Sequence, residues 1–211
     1  MGKKVNKFNF ESKTAKTVQE FFSLLENGFV MADCTLDVVK EVYSALKQRQ
    51  NESDLIRHIY AMFTFDGKGC NANEEKAVAI YQELADKGFA LSINALGACY
   101  GVGTCVERDC EKAFNLYEKA SALGSATANY NLAAVYLSGN DYVSKNEKTA
   151  IKYLKKAVDQ KYVYAYTLMG KCYLKGHGVA TDKVKAKKYF TIAKEYGDYN
   201  AEWFLERYFS K

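Results

Sequence analysis

Chemistry in this chain of 211 residues would need titratable or nucleophilic side chains in a working arrangement, and few stand in one. The histidines are His58 and His177. A catalytic histidine needs a nucleophile or carboxylate beside it in an enclosed site. His177 lies between two glycines in Gly176-His-Gly178, at a place that is lysine in the similar stretch Gly67-Lys68-Gly69, so it reads as a solvated loop residue. His58 falls on a helix and reads as a surface-lining residue rather than a base. Of the six cysteines, Cys99, Cys105 and Cys110 lie nearest one another, with Cys70 in a neighbouring loop and Cys34 and Cys172 apart. Their spacing is not that of the close cysteine pairs in zinc sites. Cys99 and Cys172 each precede a recurring tyrosine, where cysteine serves as a small apolar residue. The Gly-x-Gly stretches follow no strand and carry no Gly-Lys-Ser/Thr, so they are not phosphate loops. These residues predict a non-enzyme without metal or cofactor.

The elements that would position such residues are repeated. Lys-Ala, once Thr-Ala, opens one apolar pattern four times, with its alanine at Ala77, Ala113, Ala150 and Ala186. The intervals are 36, 37 and 36 residues. Gly88, Gly124, Lys161 and Gly197 follow at a constant distance, then Tyr100, Tyr136 and Tyr173. A fixed period of this size means one supersecondary unit stacked on copies of itself. Within a unit, Ile93, Leu96 and Tyr100 share one helical face, and Gly97 among them implies a second helix crossing at close range. Asn73, Asp109, Asn146 and Asp182 stand where each second helix needs its N-cap. Glycine in the left-handed conformation ends that helix, so Lys161 in the third unit predicts a strained or altered turn. The third unit also carries one inserted residue at Gly139-Asn-Asp-Tyr.

Composition agrees with an ordered helical protein. Apolar residues make up 48% and charged residues 26%, and proline is absent, which suits helices joined by glycine turns. No apolar run approaches a membrane span, and the basic start Met1-Gly2-Lys3-Lys4 leads into no apolar core, so a cytoplasmic location is expected. The net charge of +5 is unevenly placed: between Asp141 and Asn200 there are thirteen lysines against six acidic residues.

The order small-Leu-Gly-x-x-Tyr, Gly-x-Gly-Val, Asp-x-x-Lys-Ala and Tyr-x-x-Ala-x-x-x-Gly resembles the Sel1-like repeat, a relative of the tetratricopeptide repeat. The fourth unit matches best, through Gly170, Tyr173, Gly176, Val179, Asp182, Ala186, Phe190, Ala193 and Gly197. The resemblance implies an all-α fold: a right-handed solenoid of antiparallel helix pairs with an N-terminal helical cap. The units expected are 55–90, 91–126, 127–163 and 164–200, with a capping helix over 201–211. Ahead of them, residues 1–16 are expected as a mobile basic arm and 17–54 as a cap or decayed repeat. Thr17-x-x-Glu20 there forms a capping box, and Thr35 caps a further helix. A secreted branch of the family bridges its helix pairs by disulfides, but this chain has no cysteine within the body of a second helix.

In such a stack the first helices line the inner curve. Positions two before and two after the core leucine are expected to face that groove: His58 and Met62, Asn94 and Ala98, Tyr130 and Ala134, Thr167 and Lys171, Trp203 and Arg207. Trp, Tyr and Arg dominate binding hot spots, so Trp203, Arg207 and Tyr130 are the leading candidates, with Trp203 alternatively a cap over the last core edge. The resemblance implies a non-enzymatic scaffold or adaptor for a protein or peptide partner, in bacteria including regulators, host-interaction factors and immunity partners of toxins. The alternative is a nucleic-acid or anionic-surface binder through the lysine-rich half. Its lysines stand singly on the outer side of second helices without interleaved arginines, so a solvated face is preferred.

Overall fold

Each second helix begins on the cap that the sequence offers. Asn73, Asp109, Asn146 and Asp182 accept the backbone N–H of Lys76, Lys112, Thr149 and Lys185 at 2.8–3.0 Å. In the computed structural model, which describes residues 13–14, 18, 32–33 and 36–210, these caps open α3 (Glu74–Asp86), α5 (Cys110–Ala122), α7 (Glu147–Asp159) and α9 (Lys183–Glu195). The first helices are α2 (Asp54–Asp66), α4 (Ala90–Val102), α6 (Ala126–Ser138) and α8 (Val163–Lys175). All eight are 13 residues long, so every unit presents faces of equal length to its neighbours. Ahead of them runs α1 (Leu36–Arg49), and after them α10 (Tyr199–Phe209). Strand structure among the described residues is a two-residue parallel pairing of β1 (Lys13–Thr14) with β2 (Ala32–Asp33). Of the expected basic arm 1–16, Lys13 and Thr14 are described and pair with β2; the rest of it, the capping box at Thr17, Thr35 and Cys34 lie outside the described residues.

The described residues divide into two compact units, 13–125 and 126–210. Within each, first and second helices pack through the recurring alanines, at most 3% exposed at Ala77, Ala113, Ala150 and Ala186. The small residue on the first helix makes the approach possible. A Cβ added to Gly97 would lie 3.0 Å from the Tyr117 ring, and one added to Gly170 would lie 2.7 Å from Phe190. Ala133, the matching residue of the third unit, is fully buried.

The lysine of the Lys-Ala signature has a role that periodicity alone does not show. Lys112 Nζ donates to the Tyr100 hydroxyl at 2.6 Å and sits 3.9 Å from its ring centroid. Lys185 lies over Tyr173, at 5.4 Å, and Lys76 donates to Tyr60 at 2.8 Å. Each lysine thus clamps a first-helix tyrosine from the start of the second helix, with its stem along the ring and its charge near solvent. In the third unit threonine replaces the lysine, and Tyr136 keeps a stack on Tyr153, at 5.8 Å, of the kind Tyr173 makes on Tyr189 at 5.6 Å.

The turns that link one pair to the next follow the glycine rule with one exception. Gly88, Gly124 and Gly197 have φ of 83, 89 and 88°. Lys161 takes the same turn with φ 60°, where a side chain costs about 1–2 kcal/mol. The expected strain is therefore borne by Lys161 itself, and the turn keeps its shape. The inserted residue of the third unit is absorbed locally: Asn140 Oδ1 accepts the backbone N–H of both Tyr142 and Val143, at 3.0 and 2.7 Å.

Candidate functional site

The residue after each left-handed turn starts the next first helix: Phe89, Ser125, Tyr162 and Asp198. These residues explain where the expected groove positions go. His58 is 5% exposed, and its Nδ1 lies 2.8 Å from the Ser92 hydroxyl, with the Phe89 ring 5.7 Å away and Tyr81 at 5.4 Å. Burial pushes its imidazole down to about 3, so the ring is neutral at ordinary pH. Thr167 is 4% exposed and donates to the Asp198 carboxylate at 2.5 Å. Asn94 is 8% exposed. The reading that positions two before the core leucine face outward is therefore corrected at His58, Asn94 and Thr167. His58, besides touching Tyr81 of its own pair, reaches Phe89 and Ser92 of the following repeat, and Thr167 reaches Asp198.

Tyr130 shows the same contact with room left over. Its ring meets Tyr162 edge-on at 5.4 Å, and it stays partly exposed. Burial raises its phenol, with the Asp198 carboxylate adding to the shift. Exposed Tyr164 stands beside Tyr162 at 5.6 Å. Two after the leucine, Met62, Ala98, Ala134 and Lys171 are all partly exposed. Lys171 lies over the Phe204 ring of α10 at 4.9 Å.

The terminal helix differs. Trp203 is half exposed, and Arg207, one turn later, lies over its ring at 5.3 Å. The ring contacts of Trp203 are with Phe204 and Tyr208 of its own helix, while Phe204 stacks inward on Phe190 at 4.8 Å. It is Phe204, rather than Trp203, that covers the last core edge.

His177 is held more firmly than a solvated loop residue. Its Nδ1 lies 2.9 Å from Glu147, whose other oxygen accepts the Gly178 N–H at 2.9 Å. Lys145 first, then His177, hold the Glu147 carboxyl down at about 2. This cluster joins the fourth loop to the third unit's second helix, and a Cβ on Gly178 would lie 2.4 Å from the Glu147 carbonyl. It carries no nucleophile. Cys99 and Cys172 are 4% and 1% exposed, and burial raises both thiols to about 11, unsuited to thiolate chemistry. No helix among the described residues is long and apolar enough to cross a membrane.

The repeated caps, clamps and turns define the unit, and the Sel1 repeat model matches it four times, over residues 58–89, 90–125, 126–162 and 163–198. The chain belongs to the Sel1 repeat family. The similar solved structures include a Sel1 repeat protein from Oxalobacter formigenes, at 20% identity and a TM-score of 0.69, covering 92% of this chain and 78% of that one. Another is the immunity protein Pa5087 from Pseudomonas aeruginosa, at 25% identity and a TM-score of 0.61, covering 82% and 62%. An F-box protein of Arabidopsis thaliana is 35% identical over 114 residues, 54% of this chain and 30% of the relative. This Sel1 repeat chain spans less than a third of the length of the curated relatives it matches.

Proposed function

We propose that this Sel1 repeat chain is a non-enzymatic scaffold that grips a protein or peptide partner on the exposed edges of its first helices. The observation that carries the reading is the Trp203–Arg207 pair. It is an aromatic and a guanidinium in contact and left open, the combination most frequent among binding hot spots. Tyr130 and Lys171 in the same unit keep enough exposure to contribute. Thr167, through its hydrogen bond to Asp198 at the start of α10, supports the surface from beneath. The likeness to Pa5087 favours a narrower version, in which the partner is a toxin that this chain neutralises.

The test is affinity capture from native lysate with wild-type chain and with Trp203 and Tyr130 both replaced by alanine. The partner should be lost selectively, with binding weakened by about 2–4 kcal/mol and the helical circular dichroism unchanged. A second reading, binding to an anionic surface, draws on the exposed lysines of α7 and α9. Lys183, Lys187 and Lys188 line an open cleft of about 490 Å³ together with Val184, Ile192 and Phe209. Charge reversal at Lys155, Lys156, Lys187 and Lys188 separates the readings. Binding that is abolished by reversal and falls steeply with salt belongs to the basic face.

A further inference from the structure

At three junctions between successive repeats the first helix meets the residue that opens the next one, and α10 presents one half of such a contact. In unit 13–125, His58 meets the residue that opens the next first helix, Phe89, ring against ring at 5.7 Å. In unit 126–210, Tyr130 meets Tyr162 in the same way at 5.4 Å, and Thr167 meets Asp198 by hydrogen bond at 2.5 Å. Aromatic positions thus take an aromatic cap residue, and the hydroxyl takes a carboxylate. At the last of these junctions the position one turn further along makes a contact as well. Lys171 takes the ring of Phe204, six residues beyond the cap Asp198, at 4.9 Å. Trp203 and Arg207 are the corresponding pair of α10, an aromatic followed by a cation.

We propose that Trp203 and Arg207 form the receiving half of such a junction. Their occupant is the N-terminal part of a partner's α-helix, with an aromatic residue at its N-cap and a second aromatic six residues later. The first ring packs edge-on against Trp203, as Tyr162 does on Tyr130. The second takes the guanidinium of Arg207, as Phe204 takes Lys171. This rests on the scaffold reading and specifies the partner. It continues an interface the molecule already builds internally, so the partner's helix extends the stack by one element. The distance between the two aromatic requirements is set by the register of the existing junction.

The chain's only tryptophan is the receiving residue, so its fluorescence reads the site directly. The probe is a tryptophan-free peptide copying residues 160–175, which carries Tyr162 as cap, with Leu168→Phe and Cys172→Ala. It is held helical by a side-chain cross-link and verified as a helix by circular dichroism. Added to the full chain, it should shift Trp203 emission to shorter wavelength and protect it from acrylamide. Tyr162→Ala in the peptide, or Arg207→Ala in the chain, should each weaken binding about three- to tenfold, the worth of one aromatic or cation–π contact. The proposal is overturned if the helical peptide fails to bind at millimolar concentration or binds equally well without its cap aromatic. It is also overturned if Trp203 is already shielded from acrylamide in the free chain, or if its emission shifts with chain concentration alone, which would mean that a second copy covers it. A natural partner that depends on Trp203 although the peptide fails would leave the scaffold reading standing and remove only the helix rule.

Discussion

The second and fourth repeats are built on one frame and finished in opposite ways. In the second, α5 carries Glu111 and Glu118 against Lys112 and Lys119, so its outer face is balanced. In the fourth, α9 carries five lysines before its first acidic residue, Glu195. The second places Gly97 against the Tyr117 ring, 8% exposed, and the fourth places Gly170 against Phe190, sealed at 0% exposure and stacked on Phe204. The cap, the buried alanine and the left-handed turn do not change. The residues that recur therefore encode the stack, and those that differ encode its surfaces and the tightness of its core.

The largest effect expected from this contrast is at the helix crossings. Gly170→Ala must displace a locked phenylalanine; overpacking of this kind costs about 1–3 kcal/mol, and the helix-propensity gain of roughly 1 kcal/mol offsets only part of it. Gly97→Ala meets the Tyr117 ring at 3.0 Å, a smaller overlap, and a gain in helix propensity of roughly 1 kcal/mol should bring it close to neutral. Urea unfolding of the two variants tests the difference, and equal losses would mean that the two cores are equally tight.

Next in size is the pH response of the first junction. The imidazole of His58 is lowered in the folded chain to about 3 from 6.5, so the unfolded chain takes up its proton first as pH falls. The stabilisation is complete above pH 6.5 and is lost progressively toward pH 3, reaching on the order of 2 kcal/mol by pH 5. In His58→Gln, the slope of stability between pH 7 and 5 should be reduced by about one proton relative to wild type.

The smallest effect, and one of opposite sign, concerns the turns. Lys161→Gly relieves a left-handed lysine and should stabilise the chain by about 1 kcal/mol, read as a higher melting temperature. Gly124→Ala and Gly197→Ala, at φ 89 and 88°, should each cost a similar amount.

Much of this frame is legible in the sequence because it is local. A cap and the N–H it accepts are three residues apart, and a left-handed turn is a single residue, so Asn73, Asp182, Gly197 and Lys161 can be read without knowing the fold. Gly97 is legible because glycine inside a helix requires a packing reason. The groove positions are not, because their partners lie a whole repeat away: His58 reaches Ser92 and Thr167 reaches Asp198, 34 and 31 residues along. Reading one helix pair in isolation turns these side chains outward, and only the neighbouring pair turns them into core. The lysine clamp was open to sequence reading, since Lys112 and Tyr100 recur together twelve residues apart, but a recurring charge is easily taken for surface.

The Asn140 turn also has a practical consequence. It closes on itself through one side-chain oxygen, and the chain beyond re-enters register at Asn146, whose N–H returns to the Tyr136 carbonyl at 2.8 Å. Extra length here is taken up before the next helix begins. Asp141 and Tyr142, both exposed, are accordingly the place to splice an epitope or a fluorescent reporter into this chain without disturbing the spacing of its repeats.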